Sequence, residues 1–395
     1  MSRLPRPVKL FGLVSLLNDF ASEMIYPLLP AFVTGVLGGG AVALGALDGA
    51  ADFAAALVKY RAGRLSDQAR RRGALIILGY LVAVVVRPVI ALTGAAWQVI
   101  GLRVTDRIGK GTRTPPRDAL IADVTPPELH GRASGFQRGL DHAGAVLGPL
   151  VAWWLLSTHA LDIRGVIAAS IVPGVLVLML AVWAVRAGGG QNQMGDREAA
   201  AVPPPAVPVR RVPPALLAIS AFYLLRMPET LILLRTQQLG VAVTSVLLLW
   251  AALHVVRSAS SFVGGVLSDR FGPQRTMWLG WVSYAAIAFG FARARAPGVA
   301  WILFLVLGVV AGLTESPERA IVSRLAGGRQ GTGFGVYHAA TGIAALAGGL
   351  LLGTLYQSSS AALAFTVSAV SGMVLAMAWL ALAWHTTSKL ERLSA

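Results

Sequence analysis

Runs of roughly twenty apolar residues follow one another almost without pause along this chain. They lie at about 10–33, 41–60, 74–94, 97–123, 131–156, 163–186, 215–236, 243–267, 274–293, 298–324, 331–356 and 361–386, giving twelve spans. A helix needs about 20 such residues to cross the hydrocarbon of a bilayer. Inside lipid only helices and closed barrels satisfy their own backbone polar groups. Segments this long therefore read as helices, and the chain as an all-α integral membrane protein with twelve transmembrane helices. Only 13% of its residues are charged, about half the share of a soluble domain. The connecting loops are short, as in compact bundles, and leave no room for a separate soluble domain.

The formal net charge of +16 does not point to nucleic acid. The Lys and Arg residues gather in short loops between apolar runs instead of on one polar face. The loop between spans 2 and 3 holds Arg61, Arg64, Arg70, Arg71 and Arg72. The N-terminus, the 8–9 and 10–11 loops and the C-terminus add further cations, whereas the 1–2 and 11–12 loops have none. Arg164, Arg235, Arg293 and Arg295 are exceptions at the opposite ends. The positive-inside rule then puts both termini in the cytoplasm and the protein in the cell (cytoplasmic, inner) membrane. The basic start is followed by a helix containing Asn18, Asp19 and Glu23, unlike the plain apolar core of a cleavable signal. The absence of cysteine excludes disulfides, thiolate metal sites and cysteine nucleophiles.

The chain is a duplication. Pro116-Arg117-Asp118-Ala119-Leu120 lines up with Pro317-Glu318-Arg319-Ala320-Ile321, and Gly148-Pro149 with Gly348-Gly349. Residues 1–186 form an N-terminal six-helix half and 215–395 a C-terminal six-helix half. The Gly-, Pro- and charge-bearing stretch 187–214 between them reads as a cytoplasmic linker. The two pseudo-symmetric halves are parallel copies of one unit.

Charge inside a membrane helix is costly and normally faces a bundle interior or a watery cavity. Span 4 holds Arg103, Asp106, Arg107, Lys110, Arg113 and Arg117, which at about 100° per residue share an arc of roughly 120°. Span 5 adds Gln137, Arg138, Asp141 and His142 on one side. These groups line a polar pathway, or else neutralise one another in structural salt bridges. On span 1, Asn18, Asp19, Ser22, Glu23 and Tyr26 share a face. Two carboxylates at mid-helix suit a proton or cation site, because a buried acid exchanges protons nearer neutrality; packing against neighbours is the alternative. Span 2 carries Asp48, Asp52 and Lys59 on one face, inside the cavity or solvated at its outer mouth. In the second half, Arg226 and Glu229 are spaced i, i+3, either cavity-facing or an intrahelical pair. His254, Arg257, Glu315, Glu318, Arg319, Tyr337 and His338 complete the interior set, with the histidines open to structural or coupling roles.

Two loops carry a family resemblance. Gly63-Arg-Leu-Ser-Asp67-Gln-Ala-Arg-Arg-Arg72 lies between spans 2 and 3, and Gly265-Val-Leu-Ser-Asp269-Arg-Phe-Gly-Pro-Gln-Arg275 between spans 8 and 9. Both resemble the Gly-x-Leu-[Ser/Asp]-Asp-Arg-x-Gly-x-[Arg/Lys] loop of the major facilitator superfamily, the first departing from it at Gln68 and Arg70. Gly135, Gly144 and Gly148-Pro149 of span 5 resemble the antiporter motif of that superfamily's proton-coupled drug exporters, with Ala152-Trp153 in place of the usual final Gly-Gly. Arg107-Ile-Gly-Lys110-Gly111 is similar to its Arg-x-x-Gln-Gly motif, with Lys110 for Gln.

The resemblance implies a secondary transporter whose halves rock about a central cavity by alternating access. No nucleotide-binding P-loop, catalytic triad or metal-ligand cluster stands in the sequence, so neither an enzyme nor a cofactor is expected. The expected partners are a small-molecule substrate, protons and the bilayer, with the protein a monomer. Asp19, Glu23, Arg107 and Asp141 are expected to couple protons. Asn18, Tyr26, Arg103, Lys110, Arg113, Gln137, Arg138 and His142, with Arg226, Glu229, Glu315, Tyr337 and His338, are expected to meet substrate. Asp67, Arg117, Asp118, Asp269, Glu318 and Arg319 are expected at the gate. The excess of cations in spans 4 and 5 favours an anionic or zwitterionic compound, and the antiporter-like glycines favour export. Proton-coupled uptake of an organic anion or metal chelate is the alternative transport reading, and a non-transporting receptor in a transporter fold is the alternative class.

Overall fold

The computed structural model describes residues 4–66, 72–126, 129–189, 213–326 and 330–394. Most of the expected linker, and Asp67, lie outside the described residues. Twelve helical segments cross the bundle, and eight of them are long and apolar enough to span a membrane. Spans 1, 4, 5 and 9 fall short of that threshold. Spans 1, 4 and 5 carry the interior charges, while span 9 is diluted by Trp, Tyr, Ser and Gly.

Several spans differ from their sequence outlines where proline intervenes. Span 4 stays one helix, Ala96–Asp123, through Pro115-Pro116. Span 1 is regular over Arg6–Ile25, then passes through a tight turn at Tyr26–Leu28 and a widened one at Phe32–Val36, around Pro27 and Pro30. Span 7 is two helices, Pro214–Leu225 and Glu229–Gln238. Pro228 lacks an N–H and disfavours helical backbone before it; Arg226 is extended, with ψ 131°. At the 8–9 junction Gly272 has φ +85°, which L side chains rarely adopt, and Pro273 starts span 9.

The halves repeat one packing plan. Span 1 packs on span 5 as span 7 packs on span 11, and span 2 packs on span 4 as span 8 packs on span 10. Between halves, span 2 meets span 11 and span 5 meets span 8. The 2–11 seam is very close. A Cβ on Gly45 would lie 1.9 Å from the Gly349 carbonyl oxygen, and one on Gly49 would lie 2.5 Å from the Leu346 Cα. Gln357 closes the end of this seam, its Oε1 accepting from the Val42 amide at 3.1 Å.

An even number of spans puts both termini on one face, so this seam lies at the far face, where spans 2 and 8 begin. The largest apolar core runs across both halves there, joining Tyr26, Phe32 and Leu47 to Leu231, Trp250 and Phe304. At the termini face the first half has its own core, around Phe11, Ile76, Tyr80 and Ala181. The halves are thus closed against each other at the far face. At the other end Gly135 and Gly139 of span 5 and Gly265 of span 8 have open space where a Cβ would project.

Candidate functional site

A cavity of about 300 Å³ lies under the far-face seam, between the halves. The first half supplies Glu23, Tyr26, Asp48, Asp52, Arg107 and Lys110; the second supplies Tyr223, Arg226, Glu229, Trp250, His254 and Arg257. The break in span 7 opens onto it through Met227 and Pro228.

Its acids are for the most part engaged. Glu23 accepts from the indole Nε1 of Trp250 at 3.0 Å and stands 3.6 Å from His254 Nε2. Asp48 accepts the Tyr26 hydroxyl at 2.9 Å on one oxygen, and on the other the Thr230 amide at 3.1 Å and hydroxyl at 2.8 Å. Glu229 accepts from Arg257 at 2.6 Å. The helix breaks between Arg226 and Glu229, so Glu229 pairs across to span 8 rather than with Arg226. The cations behave differently. The side chains of Arg107, Lys110 and Arg226 donate no hydrogen bond and close no ion pair among the described residues, and the Arg107 Nε is shut away from solvent without an acceptor. Tyr26 packs against Trp250 with ring centroids 5.1 Å apart and planes tilted by 45°, giving the cavity one aromatic wall.

Of the span 4 arc only Arg107 and Lys110 line the cavity, because this helix packs on spans 2 and 3 as well as facing it. Arg103, Asp106 and Arg113 are buried in the first half. Asp106 accepts from Arg87 of span 3 at 3.0 Å and from Arg103 at 3.3 Å. Arg87 donates to the Asn18 carbonyl, while Arg113 donates to the Gly79 carbonyl and to Asn18 Oδ1. Arg103 lies 5.0 Å over the Tyr26 ring, which ties this network to the cavity wall.

A second polar group lies toward the termini face. Asp19 accepts from Asn18 at 3.0 Å, and Asp141 faces Ser15, Asp19, Arg117 and Lys110. Arg117 pairs with Asp118 at 2.9 Å and reaches Ser15, and the amide oxygen of Gln137, in its better-satisfied orientation, accepts from it. His142 is half-buried near His254 and Glu315. Tyr337 donates to the buried Glu318 at 2.5 Å, and its ring touches His338 at 4.9 Å. Arg138, Asp118, Asp269, Glu315 and Arg319 are exposed.

Arg87, Tyr223 and Trp250 escaped the sequence reading. A lone arginine in the apolar run of span 3 was a usable signal. Tyr223 and Trp250 sit in runs where an aromatic residue also suits lipid or core.

The chain matches the family model described as Major Facilitator Superfamily over residues 11–337 and again over 215–395. The chain belongs to the major facilitator superfamily. It is similar to an uncharacterized MFS-type transporter of Methanocaldococcus jannaschii, 28% identical over 362 residues, covering 90% of each chain. A shorter match, 30% identical over 135 residues, covers 34% of this chain and 33% of the multidrug resistance protein MdtH of Photorhabdus laumondii. Among solved structures, a POT family transporter in complex with a thioalcohol-conjugated peptide superimposes with a TM-score of 0.78 at 9% identity, covering 96% of each chain. A major facilitator superfamily chain is a multi-pass membrane transporter and not an enzyme.

Proposed function

We propose that this transporter is a proton-coupled exporter of a small anionic or zwitterionic organic compound, working by alternating access with both termini in the cytoplasm. The observation that carries the substrate's sign is the imbalance of partners around the cavity. Among the described residues the side chains of Arg107, Lys110 and Arg226 form no hydrogen bond or ion pair, whereas Glu23, Asp48 and Glu229 are already hydrogen-bonded and Asp52 alone of the cavity acids is left to face Arg107. Cations left without partners in a low-dielectric cavity attract an acceptor-rich ligand more strongly than in water. A cavity of about 300 Å³ suits a compact ligand.

Proton coupling is assigned to Glu23 and Asp19, with Arg107 and Asp141 tuning them. Glu23 is the acid through which the first half touches Trp250 and His254 of the second. Export is favoured by the span 5 glycines. A Cβ on Gly144 would lie 2.1 Å from the Leu16 carbonyl oxygen and one on Gly148 2.3 Å from that of Phe20, so spans 1 and 5 pack backbone to backbone. The partial likeness to a multidrug resistance protein points the same way.

The test is a ligand-stabilisation screen on purified protein followed by flux in proteoliposomes. A true ligand raises the melting temperature by mass action. Anionic or zwitterionic hits that leave loaded vesicles when protons are driven the other way support the reading. Hits that are exclusively cationic, or flux that moves with the proton, overturn it.

A further inference from the structure

The geometry points to Asp48 as the latch of the far-face gate, a positioning residue whose negative charge holds the two halves together there. This inference rests on the alternating-access reading above, though not on the direction of transport. Asp48 stands on span 2, one turn from Gly45, where the backbones of spans 2 and 11 nearly touch. Its Oδ2 crosses to the second half and takes both donors of Thr230, the amide at 3.1 Å and the hydroxyl at 2.8 Å. Thr230 lies in the first turn of the second helix of span 7. The carboxylate thus supplies an acceptor to a helix start whose first N–H groups lack partners within the helix. It also binds the anion-attracting, positive end of a helix dipole. The Thr230 hydroxyl additionally reaches the Leu44 carbonyl at 3.1 Å, so both residues join the same two elements. On the other oxygen the Tyr26 hydroxyl adds span 1 to the clasp.

The clasp depends on ionisation for a stereochemical reason. As a carboxylate, Asp48 accepts three hydrogen bonds. A proton taken up from water in the cavity onto Oδ2 makes that oxygen a donor. The Thr230 amide can only donate, so its bond is lost, and the hydroxyl must turn to accept from Asp48, leaving its single proton to the Leu44 carbonyl. The far face can part only if these bonds break, since they run from one half to the other.

The groups facing Asp48 are few. Asp52 lies one turn along its own helix, Glu229 precedes Thr230 and is held by Arg257, and Tyr26 is backed by Arg103. Span 11 presents Ala345, Leu346 and Gly349 at this level. Asp52 and Glu229 carry the same sign as the Asp48 carboxylate.

The chain has no cysteine, so a single Ala345→Cys reporter in the cavity wall is readable by a membrane-impermeant maleimide applied from either side of sealed vesicles. In the otherwise unaltered protein, labelling from the termini face should dominate at high pH, and labelling from the far face should rise as pH falls. Asp48→Asn should raise far-face labelling at least about tenfold, the scale set by losing a hydrogen bond to a charged group, and should flatten the pH profile. Thr230→Val, which keeps the amide bond, should shift the ratio less, and Thr230→Ser should restore it. The Thr230 variants also keep the idea testable should Asp48→Asn not fold. An unchanged ratio in Asp48→Asn or Thr230→Val overturns the latch. A pH profile that survives Asp48→Asn and disappears in Asp52→Asn assigns the proton to Asp52 instead. Absence of flux for every bound compound would remove the transport reading while leaving the labelling ratio to decide the latch.

Discussion

Glu23 of span 1 and Trp250 of span 8 meet across the two halves, indole Nε1 donating to carboxylate Oε2 at 3.0 Å, with His254 Nε2 at 3.6 Å from the same oxygen. The carboxylate proposed to carry the proton is therefore also a bond between the moving parts. Gaining a proton weakens the attraction to His254 whenever the imidazole is charged, which gives protonation a direct route to the conformational balance.

Glu23→Gln should abolish flux driven by a pH gradient and spare substrate exchange at equal pH on both sides. Gradient-driven flux at the unaltered rate in this variant would remove Glu23 from coupling. Trp250→Phe keeps a ring against Tyr26 but loses the donor to Glu23. It should move the pH dependence of flux while retaining more binding than Trp250→Ala.

The three cavity cations whose side chains bond nothing among the described residues predict where binding energy resides. Lys110→Ala and Arg226→Ala should each weaken binding of the identified substrate by about tenfold or more, the scale of a charge-assisted hydrogen bond, with little change in melting temperature. The substrate's affinity for the unaltered protein should fall as salt rises, in so far as water and ions reach the cavity. Affinities unaffected by either substitution would rule out an anionic anchor.

Arg113 and Asp106 should behave as fold residues. Asp106 lies between Arg87 and Arg103 at 3.0 and 3.3 Å, and Arg113 is bonded to Gly79 and Asn18. Removing one partner from a buried ion pair costs about 3–5 kcal/mol. Asp106→Ala, which strands Arg87 and Arg103, should therefore lower the melting temperature in detergent far more than Lys110→Ala does. A melting temperature equal to that of the unaltered protein would show that water already reaches the network.

That split marks how far the sequence could be read. The duplication, the twelve spans and the 8–9 loop follow from period and spacing, which are properties of single helices. The angular arc of span 4 was legible too, but not which neighbour each part of it faces. Arg103 and Arg113 stand on the same helical face as Arg107 and Lys110, yet span 3 with Arg87 covers the former pair and the cavity receives the latter. The break in span 7 had its signal in Pro228; its consequence, Glu229 turned to Arg257 and Thr230 to Asp48, depends on two distant helices.

The glycine seam at the far face predicts a conformational effect without charge. A Cβ at Gly45 would stand 1.9 Å from the Gly349 oxygen, closer than any real contact allows. Gly45→Ala should therefore force spans 2 and 11 apart and raise far-face labelling of a cavity cysteine. Gly101→Ala, with open space around it, should leave the ratio unchanged. Equal ratios for Gly45→Ala and Gly101→Ala would mean that the seam yields by local adjustment.

The termini face offers the opposite case, two charge pairs that this conformer does not make. The repeat inverts its charges there, with Arg117-Asp118 in the first half aligned to Glu318-Arg319 in the second. Arg117 is instead bonded to Asp118 and Ser15 of its own half, and Glu318 to Tyr337 of its own. Asp118 and Arg319 are exposed. Spans 4 and 10 occupy equivalent places in the two halves, so a rotation that parts the far face brings their termini-face ends together. We expect Arg117–Glu318 and Asp118–Arg319 pairs in that conformer alone. Partly exposed pairs contribute about 1 kcal/mol or less each; that is too little to hold a fold, yet enough to bias two conformers that differ by a few kcal/mol. Glu318→Arg should raise termini-face labelling of the cavity cysteine, because it sets Arg117 against a like charge when that face closes. Adding Arg117→Glu should partly restore the ratio. If the shift in the double variant is the simple sum of the two single shifts, the residues do not meet, since independent sites add and contacting ones do not.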